Sequence, residues 1–72
     1  MNTFREILGV WPSVAELARD CGVRWQTVHQ WRKRNSIPPT HWAALCGAAR
    51  RRGIEGVTLE TLAQIAARRE AA

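Results

Sequence analysis

The chain has 72 residues, a formal net charge of +5 and a sequence pI near 11.1. This length gives one domain with a modest core, and a composition that is 46% hydrophobic excludes a disordered chain. No apolar run approaches the ~20 residues of a membrane span. No secretory leader is recognisable either, so a cytoplasmic protein with reduced thiols at Cys21 and Cys46 is expected.

The first segment opens at Thr3, which with Glu6 has the spacing of a capping box. Phe4, Ile7, Leu8 and Trp11 then recur at i, i+3, i+4 and i+7, one apolar face of a short helix, with Gly9 near its end. After Pro12, Ser13 and Glu16 repeat the capping pattern, and Val14, Leu17, Ala18 and Cys21 repeat the apolar spacing. Gly22 follows where a left-handed cap residue is expected. A third helix is predicted over Trp25–Arg34, with Val28 and Trp31 inward and Val23 and Ile37 closing its two ends. Its other face carries Gln26, His29, Gln30 and Lys33, and Pro38 stops the region.

A fourth helix can begin at Pro39, with Trp42, Leu45, Cys46 and Ala49 inward and Arg50, Arg51 and Arg52 in the turn before Gly53. A fifth, about residues 58–70, takes Thr58 as its N-cap and Leu59, Leu62, Ile65 and Ala66 as its apolar stripe. The closing Ala71 and Ala72 are expected to fray. Trp11, Trp31 and Trp42 lie on apolar stripes and are assigned to the core. The predicted fold class is all-α, one compact five-helix domain.

Charge is segregated along the chain. Residues 21–54 hold Arg24, Arg32, Lys33, Arg34, Arg50, Arg51 and Arg52 and no acid, whereas each flank holds two Arg and three acids. A central block of one sign suits a polyanion. The second and third helices are joined only by Gly22, Val23 and Arg24. So short a link predicts a steep crossing, with Ala18 allowing close approach and Leu17, Val23, Val28 and Trp31 fixing the angle.

The stretch Val14-Ala-Glu-Leu-Ala-Arg-Asp-Cys-Gly-Val-Arg-Trp-Gln-Thr-Val-His-Gln-Trp-Arg-Lys-Arg34 resembles the Cro/lambda-repressor-like helix-turn-helix family of phage-type regulators. The following Asn-Ser-Ile-Pro-Pro-Thr-His-Trp is similar to the Ile-Pro-Pro segment of small members, and the five-helix plan covers nearly the whole chain. The resemblance implies a compact helical domain, usually dimeric on an operator, that represses or activates transcription. Arg24 departs from the family pattern, which often has Ser or Thr as the N-cap of the recognition helix. This leaves the helix start less defined and adds a cation there.

The expected function is therefore sequence-specific recognition of double-stranded DNA by a homodimeric repressor associated with the nucleoid. The Trp25–Arg34 helix would enter the major groove. Gln26 and Gln30 suit adenine, Arg24 and Lys33 suit guanine, and Thr27 and His29 suit a base edge or a phosphate. Ser13, Arg32, Arg34, Asn35, Ser36 and Thr40 are the candidate phosphate contacts. Arg50, Arg51 and Arg52 favour the helix dipole and long-range attraction over direct contact. Trp25 has two readings, packing against the first turn as part of the core or lying against sugar or a thymine methyl. The first is preferred, because large aromatics are rarely left exposed.

The alternative class is an antitoxin-like or adaptor module that binds a protein through its fifth helix. That helix is also the candidate dimer surface, although Leu59, Leu62 and Ile65 can instead belong wholly to the chain's own core. RNA ranks third, since its deep, narrow major groove does not admit a helix. Cys21, His29, His41 and Cys46 lack the short paired spacings of a zinc site. No nucleophile pattern, phosphate loop or carboxylate pair is apparent, so no enzyme activity, metal, cofactor or small-molecule ligand is expected.

Overall fold

Three of the helices begin on hydroxyl caps. In a computed structural model of the chain, which describes residues 1–71, the order is α1 (Phe4–Leu8), α2 (Val14–Cys21), α3 (Trp25–Arg34), a 3-10 turn (Pro39–His41), α4 (Trp42–Arg52) and α5 (Leu59–Ala71). Thr3 Oγ1 accepts the Glu6 N–H and Ser13 Oγ the Glu16 N–H, each at 3.1 Å. Thr58 Oγ1 accepts the Thr61 N–H at 3.1 Å at the head of α5. Each bond satisfies a backbone donor that the first helical turn leaves open. The return arms of the two boxes differ from the expected pattern. Glu6 accepts from the Asn2 N–H instead, and Glu16 turns away to Arg52.

Three helices close in the same way. Gly22, Asn35 and Gly53 are left-handed, with φ of 70°, 52° and 74°. The residue after each sends its N–H back across the last turn: Val23 to Ala18 O, Ser36 to Trp31 O, Ile54 to Ala49 O. This is the Schellman closure, and Val23 and Ile54 pack on the core as its apolar partners. Gly9 closes α1 in right-handed geometry and needs no such freedom.

One core collects the buried faces of all five helices, from Phe4, Ile7 and Leu8 through Leu17, Val28, Trp31, Ile37 and Leu45 to Leu62 and Ile65. The most extensive helix pair is α2 with α3, and Ala18 on α2 is buried. The result is a small body with a Cα radius of gyration of 11.1 Å and no strand among the described residues. No helix among them is long and apolar enough to cross a membrane.

Some expectations need correction. Trp11 is core, but α1 ends at Leu8 and the indole reaches the core from the following bend. Its Nε1 is held there by Asp20 Oδ2 at 3.0 Å. Leu59, on the expected apolar stripe of α5, is 55% exposed. Val57, arriving from the loop just before α5, is buried in the core ahead of it. Trp42 is only half-buried, with its Nε1 donating to Ile37 O at 2.8 Å. Of the expected fraying at Ala71 and Ala72, Ala72 lies outside the described residues.

Candidate nucleic-acid interface

The polar face of α3 follows from its buried one. Val28 and Trp31 face the core, and a helix turns about 100° per residue. Gln26 and Lys33 therefore fall opposite the core, His29 and Gln30 lie beside them, and Trp25 and Arg34 flank the exposed arc. All six are exposed. Thr27 falls nearer the core and is half-buried, which makes it a weaker base-edge candidate than the other residues expected to read sequence. Arg24 stands exposed at the N-cap with no side-chain cap bond. The N–H groups at the head of α3 are thus left without the hydroxyl cap that α1 and α2 have.

Recesses lie on either flank of this face. One, of about 330 Å³, is lined by Arg5, Trp11, Ser13, Val28 and Arg32 among others. It brings together Ser13 and Arg32, two phosphate candidates that are far apart in sequence. The other, also about 330 Å³, is lined by Gln26, Thr27, Gln30, Trp31, Arg34 and Pro38. Thr40 is exposed on the 3-10 turn.

Asn35 and Ser36, expected as phosphate contacts, lie at the exit of α3 and to one side of its exposed face. Asn35 Oδ1 accepts the Arg5 N–H at 3.0 Å, and its carbonyl accepts from Arg69. Both residues are half-buried and line recesses shared with α1 or α5, away from the centre of the α3 face. The C-terminal carbonyls of α3 are capped by arginines from other helices. Arg5 Nε donates to Arg32 O at 2.9 Å and its Nη2 to Lys33 O at 3.0 Å, while Arg69 Nη2 donates to Arg34 O at 3.2 Å. Cations at a helix C-terminus oppose its partial negative charge. Nothing local in the sequence links Arg5 or Arg69 to α3.

The triple arginine divides its roles. Arg52 forms ion pairs with Asp20 and with Glu16, the latter at 3.3 Å, and Arg51 Nη2 donates to Asp20 O at 3.0 Å. Both arginines therefore tie α4 to α2, while Arg50 stays exposed. The available signal was Glu16 and Asp20 at i, i+4 on α2, the only acids of that helix. The Arg52 guanidinium holds the Asp20 carboxyl below the usual carboxylate range, with the Trp11 N–H assisting. Arg24, Arg32, Lys33 and Arg34, all on or beside α3, form no ion pair among the described residues, and neither do Arg19, Arg50 and Arg68 elsewhere on the surface.

Burial, with help from Asp20, pushes the Cys21 thiol up to about 11, and burial also raises Cys46. Both cysteines are free. No cluster of metal-ligating side chains occurs among the described residues. Compared with known proteins, the chain has no significant match among family models, curated proteins or solved structures.

Proposed function

We infer that this chain is a sequence-specific regulator of transcription that binds double-stranded DNA, with α2 and α3 forming a helix-turn-helix and α3 entering the major groove. The observation that carries this reading is the exposed arc of α3. Gln26, His29, Gln30 and Lys33 sit together there, with cations at either end and no acid on the helix. Amide and cationic side chains on one exposed helix face match the donor and acceptor pattern of base edges. Ser13 and Arg32 on one flank and Arg34 on the other suit the phosphates that border a groove. In the homodimeric form of this proposal, two copies would read half-sites about one DNA turn apart and repress by occupying the operator.

The second reading is an interaction module of antitoxin or adaptor type. It is favoured by the recess between α4 and α5, lined by Ala43, Cys46, Val57 and the exposed Leu59. An amide-shift titration of the labelled protein separates the two. With random duplex DNA added, shifts concentrated at the head of α2 and along α3 support the DNA reading. Shifts absent throughout, or confined to α4 and α5, would count against it.

A further inference from the structure

We propose that Trp25 is a specificity-determining residue that lays its indole against the C5 methyl of a thymine in the major groove. This rests on the DNA reading above. Among the four tryptophans, Trp11 and Trp31 are 5% and 4% exposed, and Trp42 is half-buried with its N–H held by Ile37 O. Trp25 is 56% exposed. The preference for packing Trp25 partly into the core is therefore corrected. The residue lies about a quarter turn away from the Val28–Trp31 side that the core covers.

Its setting indicates what covers it. Trp25 is the first residue of α3, directly after the exposed Arg24. One turn later the His29 ring meets it edge-on, with centroids 6.3 Å apart and planes at 69°. This contact steadies the indole in a geometry that aromatic pairs favour. Lys33 continues the same row at i+8, so the ridge is aromatic at the N-terminal end of α3 and cationic at the other. Residues 21–54 contain no acid, so the charge around the ridge complements a polyanion rather than a basic protein surface. The N-terminal residues of a recognition helix are those that reach base edges. The apolar group a base edge offers in the major groove is the thymine methyl.

The test is a double-mutant cycle on the duplex enriched by selection from random DNA. Each thymine in turn is replaced by deoxyuridine, which removes the methyl and keeps the pairing. At one position the replacement should weaken the wild-type protein about fourfold, the value of one buried methyl group. In W25A the same replacement should have no effect. Equal losses in both proteins would assign the methyl to another residue, and no thymine whose methyl matters would leave Trp25 against sugar; either result overturns the proposal. Should W25A fail to fold, W25Q supplies the cycle. Selective binding without coupling sinks this proposal alone, whereas a wild-type protein that selects no duplex removes the DNA reading and this proposal with it.

Discussion

The Arg5 N–H in α1 donates to Asn35 Oδ1 at 3.0 Å, joining residues thirty positions apart. The backbone of Asn35 closes α3 in left-handed geometry, φ 52°, while its side chain anchors α1 against the exit of α3. Asn tolerates this conformation better than other residues bearing a Cβ. Asn35→Ala should therefore cost about 1–2 kcal/mol, combining backbone strain with the lost bond. Asn35→Gly removes the strain and should cost less. Denaturant unfolding of both variants measures the difference, and equal losses would show that the left-handed conformation is unimportant here.

Gly22 makes a similar demand at φ 70°, but an added Cβ there would meet no atom within 4 Å. The cost of Gly22→Ala is then conformational alone, about 1–2 kcal/mol. A stability matching wild type would contradict the left-handed turn between α2 and α3.

The Asp20–Arg52 pair predicts an acid limb to stability. The folded carboxyl titrates below its ordinary range, so the folded state binds fewer protons than the unfolded chain in that interval. The pair's contribution is present above the unfolded value, about 4, and is lost as pH falls through the lowered folded value. Asp20→Asn should lower Tm at neutral pH, and the gap to wild type should narrow as pH falls below 4. A gap that stays constant with pH would remove the charge argument and leave only lost packing.

Much of the fold was legible because its signals are local. Thr3 with Glu6, Ser13 with Glu16, and Gly22 after Cys21 mark helix ends within a few residues, and the structure uses each of them. The Val28 and Trp31 positions alone fixed which side of α3 faces out. The contacts that are not legible in the sequence depend on distant partners. Arg52 looked like one of three interchangeable cations until α4 came to lie beside Glu16 and Asp20. Asn35 looked like a polar exit residue, but Arg5 and Arg69 reach it from opposite ends of the chain. Leu59 fits the apolar stripe of α5 by spacing, yet Val57 holds the core position near the head of that helix.

The thiols give a prediction at the other end of the pH scale. Cys21 is raised to about 11 in the folded state, so between the unfolded thiol value and that value the folded protein retains a proton that the unfolded chain has lost. Stability should fall as pH rises through this interval, and Cys21→Ser should flatten the fall. Unfolding curves at successive alkaline pH values check this. An unchanged slope in the variant would assign the loss to other groups.

Whether α3 reads DNA sequence is decided by selection from random duplex DNA followed by binding titrations at several salt concentrations. An enriched site is expected, which Gln30→Ala weakens by about 1–3 kcal/mol while leaving random DNA nearly unaffected. Arg34→Ala should weaken binding to both and lower the salt slope by about one. Salt-sensitive binding without an enriched site, or a Gln30→Ala loss of equal size on selected and random DNA, would show that α3 does not read sequence.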